Sequence, residues 1–529
     1  MTKLLYVLPL ALTLCATPAQ ARKKKKETPP PAKVEKKAPI RKGLLSFQRE
    51  KDDWFFVVSD SLLKRPMLVT TRFVSTPAGA QMYGGEMANS KMVTWERHNN
   101  QLLLRSEMFA AHSDSTQRIW KSVEASAENP IVAAFKIEET LTDSVTKAKS
   151  YRIKATDFLK GDNPVTGLNT RSKGTFEVNA LRGDLSYVDT VKTFPINTEI
   201  ITVKTFTAKP SKIPSAAHTG LITFRLNTSF VLLPENPMRS RTFDPRVGYF
   251  TNSFVEFDDQ QQQVKRRSIV ARWRLEPKEE DVEKMKRGEL VEPKKPIVYY
   301  IDPATPKQWV KYLILGVEDW QKAFEQAGFK NAILAKEWPT DRPDMSLEDA
   351  RYSVIRYLAS PIPNAYGPNV HDPRTGEIIE SHIGWYHNVM KLLHDWYMVQ
   401  AGAIDPRARK QEFDEELMGE LIRFVSSHEV GHTLGLRHNM GASAATPVEK
   451  LRDKAWVEKH GHTSSIMDYA RFNYVAQPED NISSEGIFPR INDYDKWAIQ
   501  WGYSYFPNAK SEKEERKILN DLTVKIITG

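Results

Sequence analysis

The sequence contains one cysteine, Cys15, in 529 residues. This cysteine lies in an N-terminal stretch where Lys3 precedes an apolar run at residues 4–14 and a small-residue site ends at Ala21. A positive start, a short apolar run and small residues at the end are typical of a secretory signal peptide, which we predict for residues 1–21. Cleavage after Ala21 would leave a mature protein without cysteine, and this excludes disulfides and thiolate metal ligands.

Long apolar runs are also missing from the sequence. The run at residues 4–14 is too short to span a bilayer comfortably. A lipid anchor on Cys15 is the alternative to cleavage, but Leu14 is bulkier than the residue usual before a lipidated cysteine. We therefore predict export to the periplasm, the outer surface or the medium, with lipidation at Cys15 as the less favoured alternative.

Most of the chain lacks the basic excess that the net charge of +10 suggests. Residues 22–42 hold eight Lys and two Arg against two Glu, so about +1 remains for residues 43–529 once Lys3 is also removed. With three consecutive prolines, residues 22–42 are predicted to be a disordered linker. Electrostatic contact of this linker with an anionic envelope and a simple solvated spacer are both open, whereas nucleic-acid binding is not expected.

Residues 43–290 are rich in β-branched and aromatic segments separated by turn signals, and they show no convincing internal repeat. They are predicted to form an antiparallel β region, with a smaller leading unit at residues 43–95. The segment Asp244–Phe250 has two interpretations. Its aspartate could cap a metal site as part of an inhibitory or docking loop, or the segment could be a structural turn into a strand, which we favour.

The pattern changes after a charged, proline-punctuated stretch at residues 278–296. Short strands now alternate with helices, of which the first shows an apolar stripe that closes at Gly328. The sequence therefore predicts an α+β protein, in which a second domain spans residues 291–505 and a helical tail spans residues 506–529.

Three histidines and one glutamate in residues 428–438 have a spacing that suits a metal site. His428 and His432 are four residues apart, so on a helix they share one face. Gly435 can adopt a positive φ, which would let the chain leave the helix and bring His438 round as a third ligand. Three neutral imidazoles with an open fourth position suit one catalytic Zn²⁺ ion that activates water. Glu429 is then placed to take the proton of that water.

The residues around this motif support a helix. Leu417, Leu421 and Val425 continue the face that carries His428 and His432, and acidic residues at 414–416 suit a helix N-terminus. His371, His382, His387 and His394 are predicted to be core or surface residues. His460 and His462 are weaker alternatives for the third ligand.

A second motif, Ser465-Ile466-Met467-Asp468-Tyr469, follows downstream. Together with the extended histidine motif, it resembles the metzincin metallopeptidases, and its form looks like that of the astacin and serralysin branches. The resemblance implies that Met467 packs beneath the metal ligands as the residue of a methionine turn. It also implies that Tyr469 coordinates the metal or stabilises the transition state.

The chain also resembles a group of large secreted bacterial zinc-dependent metalloproteases that have a β-rich N-terminal region. This resemblance is carried by the amino-acid sequences of residues 372–378, 429–439 and 494–503. The resemblance implies a catalytic domain with a twisted mixed sheet, two long helices and a smaller C-terminal subdomain. It implies that an edge strand pairs with the peptide substrate, and the candidate is the strand beginning Gly376, Glu377, Ile378. Members of that group generally continue past the end of this sequence, so a truncated C-terminus is an expectation.

The sequence thus predicts a secreted zinc endopeptidase that acts on protein or peptide substrates through metal-activated water. Two alternatives stay open: an idle metal-bearing scaffold or binding protein, and a zinc hydrolase of a non-peptide envelope component. The intact Glu429 argues against the scaffold, because a structural zinc site needs no base and usually fills its fourth position with protein. No oligomeric state follows from the sequence.

Overall fold

The computed structural model describes residues 38–77, 80, 84–209 and 211–528. The predicted signal peptide, Cys15 and residues 22–37 of the predicted linker lie outside the described residues. Residues from Pro39 onward form one compact unit. None of the helices that the structure describes has the length and apolar character needed to cross a membrane.

The first half of the described chain is mostly strand. Its strands are β1 Ser46–Glu50, β2 Asp53–Ser59, β3 Met67–Ser75, β4 Met87–His98, β5 Gln101–Glu107, β6 Ala111–Ser113, β7 Ile131–Thr142, β8 Lys149–Lys154, β9 Val178–Leu181, β10 Tyr187–Thr193, β11 Asn197–Ala208, β12 Leu221–Leu232, β13 Thr251–Phe257 and β14 Lys265–Val270. Its helices are short: α1 Trp120–Ser126, α2 Thr156–Lys160, α3 Thr170–Thr175, α4 Pro214–Thr219 and α5 Val282–Lys286.

The second half mixes short strands with longer helices. Its strands are β15 Ile297–Ile301, β16 Ile333–Glu337, β17 Ser353–Leu358, β18 Ala365–Tyr366, β19 Val370–His371, β20 Ile378–Glu380 and β21 His382–Tyr386. Its helices are α6 Lys307–Glu318, α7 Gln321–Gln326, α8 Val389–Ala401, α9 Glu415–Thr433, α10 Lys454–His460, α11 Ser484–Ile487, α12 Asp493–Tyr503 and α13 Glu512–Thr528.

An eleven-stranded antiparallel sheet dominates the first half, in the order β1-β2-β8-β7-β5-β4-β3-β12-β11-β10 with β9 beside β11. Side chains alternate between its faces. On β3, Met67 and Val69 enter a core with Trp95, whereas Arg72 faces the other way and contacts Glu380 of β20. The α+β prediction, with an antiparallel β region followed by a helical part, is confirmed.

A five-stranded mixed sheet, ordered β16-β15-β17-β21-β18, organises the second half. Its first four strands are parallel, and β18 runs antiparallel at one edge. Helix α6 crosses α9 closely at Gly316, where an added Cβ would lie 2.5 Å from the Ser426 Cβ. This close packing fixes α9, the helix that carries the predicted metal motif.

The predicted domain boundary near residue 290 does not separate the hydrophobic cores. Val247, Tyr249, Val270 and Leu275 are buried in the core of the second half, which also includes Leu519 of α13. The predicted small unit at residues 43–95 does not stand apart either, because Trp95 shares a core with strands of the whole large sheet. The sequence of a short apolar strand does not show which core the strand joins, so the predicted limits and the hydrophobic cores need not coincide.

The structure corrects the predicted substrate-binding edge at Gly376, Glu377 and Ile378. The Arg272 N–H donates to the Gly376 carbonyl at 2.9 Å, and the Ile378 N–H donates to the Arg272 carbonyl at 2.9 Å. This segment then continues into the two-stranded β19-β20 sheet. Its backbone is therefore already paired, and the edge of the five-stranded sheet nearest the metal motif is β18.

Candidate metal centre

Helix α9 carries the first two histidines. It begins after Asp414, whose carboxylate accepts the Leu417 N–H at 2.9 Å, so the predicted acidic start is an N-cap. The apolar face at Leu417 and Leu421 is buried in the core. One turn apart on this fixed helix, His428 is buried and His432 is half-buried.

Gly435 ends the helix with φ of +96°, as the sequence predicted. Its N–H donates to the His432 carbonyl at 3.0 Å, and the Leu436 N–H donates to the Gly431 carbonyl at 3.1 Å. A Cβ at Gly435 would lie 2.0 Å from the Ala271 carbonyl oxygen. Both the backbone angle and the close approach therefore require glycine, and the turn carries His438 back toward the helix.

The three imidazoles meet at their Nε2 atoms. The Nε2 of His438 lies 3.0 Å from that of His432 and 3.2 Å from that of His428. On the opposite side of two rings, Nδ1 of His428 is 2.8 Å from the Ile466 carbonyl and Nδ1 of His432 is 2.8 Å from the Leu436 carbonyl. These carbonyls require Nδ1 to be the protonated nitrogen, so each Nε2 presents a lone pair.

Burial keeps these rings neutral. It lowers the pKa of His428 to about 3 and that of His432 to about 4, and it also lowers the pKa of His438. Neutral imidazole is the form that binds a metal. The electrostatics of the site therefore agree with its geometry.

The donor set fits zinc. Ligands on a tetrahedral zinc with bonds of about 2.0 Å lie roughly 3.3 Å apart, close to the separations of the three Nε2 atoms. His438 is exposed, so the cluster opens to solvent on its side. Among the described residues this is the one group of histidine, cysteine and acidic side chains close enough to share an ion.

Glu429 lies next to the first ligand, against the edge strand. A Cβ at Gly367, directly after β18, would lie 2.4 Å from the Glu429 carbonyl oxygen and 3.0 Å from its Oε2. Burial raises the pKa of Glu429 to about 7, and the Gly367 N–H opposes part of that shift. A carboxyl with a pKa near neutrality can both accept and return a proton.

Met467 packs beneath the helix at the level of the ligands. It is fully buried, and a Cβ at Gly431 would lie 2.3 Å from its Sδ. Its carbonyl accepts the Asn439 N–H at 2.9 Å, next to His438. Because the preceding carbonyl, that of Ile466, orients His428, this turn touches two of the three ligand segments.

Tyr469 stands beside the ligands at the open side of the cluster. Its ring centroid lies 4.4 Å from that of His438 and 5.6 Å from that of His428. Almost half of the side chain is exposed, at 46%. Burial of the remainder raises the pKa of Tyr469, so the phenol keeps its proton and can donate it in a hydrogen bond.

Asp495 holds the Met467 turn, although it was not among the site residues predicted from the sequence. Its carboxylate accepts the Ser465 hydroxyl at 2.6 Å and the Ile466 N–H at 2.7 Å. It also accepts the Asn492 N–H at the start of α12. The Asn492-x-x-Asp495 pattern is a capping box, which a search for helix starts could have found.

Side chains distant in sequence hold the end of α9. Trp273 donates its indole N–H to the Thr433 carbonyl at 2.9 Å, and the Tyr503 hydroxyl donates to the Leu434 carbonyl at 2.8 Å. They satisfy carbonyls that a helix end leaves free. No local sequence signal shows that Trp273 and Tyr503 bind the carbonyls at the end of α9.

The alternative third ligands lie elsewhere. His462 is buried with Nε2 at 2.9 Å from the Arg471 carbonyl, and His460 stacks on Trp456 at 4.9 Å between centroids. In the segment Asp244–Phe250, Asp244 pairs with Arg246. The Phe250 N–H donates to the Gly435 carbonyl at 2.8 Å, so the segment supports the metal-site turn from behind.

Residues 410–527 match a family model described as Met-zincin. Residues 85–278 and 29–76 match two further models, each described as a domain of unknown function (DUF5117 and DUF5118). No curated protein and no solved structure matches the chain. The Met-zincin match covers α9, the glycine turn and the Met467 turn, and thus the three histidines, Glu429, Met467 and Tyr469.

Proposed function

Because the chain is a metzincin-type zinc metallopeptidase, we propose that it is an exported endopeptidase that cleaves internal peptide bonds of extended polypeptides. One observation supports this proposal more strongly than any other. The three Nε2 atoms converge at separations of 3.0 and 3.2 Å, and the carboxylate of the next residue, Glu429, lies close enough to Tyr469 for its charge to act on that phenol. A structural zinc site would instead be closed by a fourth protein ligand.

His428, His432 and His438 would hold the ion. When bound, zinc supplies Lewis-acid chemistry that polarises a carbonyl and makes water acidic near neutral pH. Glu429 takes the proton of the attacking water at its carboxylate and returns it to the leaving amine. The Tyr469 hydroxyl donates a hydrogen bond to the oxygen on which negative charge develops.

The antiparallel edge strand β18 supports an extended substrate. It is the outer strand of the mixed sheet and leads directly into Gly367, which contacts Glu429. An extended peptide that pairs with β18 would therefore pass beside the general base. Backbone pairing of this kind binds peptides with little dependence on their sequence.

Hydrolysis of a peptide with acetylated and amidated ends tests the endopeptidase proposal, because an exopeptidase needs a free terminus. We expect cleavage at internal bonds, loss of cleavage with a chelator and recovery on adding back zinc. Failure to cleave this peptide or unfolded protein, with hydrolysis of an envelope glycan or ester instead, would favour the non-peptide alternative.

Export rests on residues 1–21, and the Lys-rich segment that follows supports contact with an anionic envelope. Both are proposals drawn from the sequence. Mass spectrometry of the mature N-terminus should find Arg22 first. A lipidated Cys15, or an intact Met1, would contradict cleavage after Ala21.

A further inference from the structure

A cavity of about 250 Å³ lies away from the metal centre, where residues 238–241, 272–276 and 504–515 meet. Its charged wall residues are four arginines and two glutamates: Arg239, Arg241, Arg272, Arg274, Glu276 and Glu515. The guanidinium groups therefore outnumber the carboxylates by two. The other wall residues are mostly apolar, among them Leu275 and Phe506. A guanidinium that is buried against such residues has its charge poorly screened.

Two of the four arginines form an ion pair with a carboxylate of the cavity wall. Arg241 donates Nε to Glu515 at 2.6 Å and its two terminal nitrogens to the Trp501 and Ser504 carbonyls. Arg274 donates Nε to Glu276 at 3.0 Å. Both cations are thus neutralised by a carboxylate of the cavity wall.

Arg239 is less well paired. It donates to the Ala509 carbonyl at 2.8 Å, and Glu515, which already pairs with Arg241, is 3.9 Å away. Almost half of the Arg239 side chain is exposed. Solvent can therefore compensate part of its charge.

Arg272 differs from the other three. It is 6% exposed, and among the described residues the carboxylate whose charge acts on it is that of Glu515, which is already paired with Arg241. Its Nη2 donates to the Arg239 carbonyl at 3.0 Å, while its buried Nε has no hydrogen-bond partner. Glu377, the adjacent acid, accepts the Met238 N–H instead. A guanidinium stays charged in proteins, so this buried, unpaired cation is costly without a counter-ion.

We propose that this cavity binds a small oxyanion, with a phosphate group as the best match. The planar fork of a guanidinium pairs with two oxygens at once, and several guanidinium groups around one cavity suit a tetrahedral oxyanion. The anion supplies the negative charge that Arg272 lacks. It also links three segments that are far apart in sequence.

The site adjoins the support of the catalytic helix. Arg272 is followed by Trp273, which donates to the Thr433 carbonyl at the end of α9. The Ala271 carbonyl lies against Gly435. An oxyanion on Arg272 therefore stabilises the segment on which the turn to His438 rests.

Titration calorimetry of the zinc-loaded protein with inorganic phosphate, at constant ionic strength, tests the proposal. We expect saturable binding with one high-affinity site, and we expect Arg272→Met to weaken it by about tenfold or more, since hydrogen bonds to charged groups are lost. Arg342→Met is the matched control, because Arg342 is half exposed and pairs with Asp344 outside the cavity. This control should bind phosphate like the unaltered protein.

Equal affinity in Arg272→Met would overturn the proposal, since phosphate would then bind at the metal centre or the surface. Absence of saturable binding by the unaltered protein would overturn it too. Arg239→Met, at a half-exposed wall position without a close carboxylate, is the second variant if Arg272→Met does not fold, and it should also weaken binding. Competition by sulfate but not acetate would support a tetrahedral ligand, whereas equal competition by acetate would assign the site to carboxylates within the same oxyanion class.

Discussion

Two buried polar regions of this protein differ in what their side chains face. In the metal centre, three imidazole nitrogens of the same kind face one another. In the polar layer, which we define as Arg72, Glu199 and Glu380, the Arg72 guanidinium meets the Glu380 carboxylate across the contact between the large sheet and β20, and the Glu199 carboxyl lies nearby. Lone pairs that converge, as in the metal centre, cannot satisfy one another, so they indicate a missing ligand.

The polar layer is satisfied from within the protein. Arg72 donates to Glu380 at 2.9 Å. Glu199 accepts the side-chain amides of Asn197 at 2.7 Å and Asn227 at 2.8 Å, and it also accepts the Ser229 hydroxyl. The Arg72–Glu380 pair links the two halves of the chain, whereas the contacts of Glu199 lie within the large sheet. Buried polar groups paired in this way indicate a structural role.

The largest expected effect concerns the metal centre, the first of the two regions compared. Glu429→Gln removes the proton acceptor but leaves all three imidazoles, so peptide hydrolysis should fall by about 10²–10⁴-fold while the zinc content is unchanged. Hydrolysis assays with elemental analysis measure both. Glu416→Gln, an exposed substitution in the first turn of the same helix, is the control and should leave both unchanged. Retained turnover in Glu429→Gln would remove the general-base role.

The next largest effect concerns the polar layer and is a loss of folding stability. Glu380→Leu leaves the Arg72 guanidinium buried without its partner, and it should lower the free energy of unfolding by about 3–5 kcal/mol. The double variant with Arg72→Met should recover part of this loss. Denaturant unfolding measures the difference. Glu235→Leu breaks an exposed pair with Arg65 and should cost less than about 1 kcal/mol. Equal losses in both Leu variants would contradict a special cost for the buried pair.

A smaller effect depends on pH. Burial raises the pKa of Glu199 to about 7, so the folded protein holds a proton there that the unfolded chain releases above about pH 4.5. The sign follows from linkage: stability that is present at low pH is lost as the pH rises toward 7, by up to about 3 kcal/mol.

Glu199→Gln should remove this loss, because a neutral amide does not titrate. Unfolding free energies at pH 5 and pH 7.5, compared between the variant and the unaltered protein, isolate the contribution of Glu199 from that of other groups. The same pH slope in both proteins would mean that Glu199 is ionised in the fold throughout.

The sequence predicted the metal centre well because its information is local. His428, His432 and Gly435 lie within one helix and its end, where periodicity and a single backbone angle decide which side chains meet. The roles given to Met467 and Tyr469 came from resemblance, and the structure places both residues beside the ligands.

The substrate edge could not be predicted in this way. From the sequence alone, residues 376–378 resemble an edge strand. In the structure, their backbone pairs with that of Arg272, which lies far earlier in the chain. Likewise, nothing near Asp495 or Trp273 shows that each supports a part of the metal centre. Strand partners and supporting side chains depend on tertiary contacts, which a single sequence does not encode in any periodic signal.

The smallest expected effect concerns the role of the Tyr469 hydroxyl in the metal centre. Tyr469→Phe removes one hydroxyl at the open side of the metal centre and keeps the ring that packs on His438. If the hydroxyl donates to the developing oxyanion, kcat should fall by about tenfold with KM and zinc content nearly unchanged, because the hydrogen bond forms only in the transition state. Steady-state kinetics with elemental analysis separates this from a loss of metal. An unchanged kcat would make Tyr469 a packing residue and would leave the metal as the main stabiliser of the oxyanion.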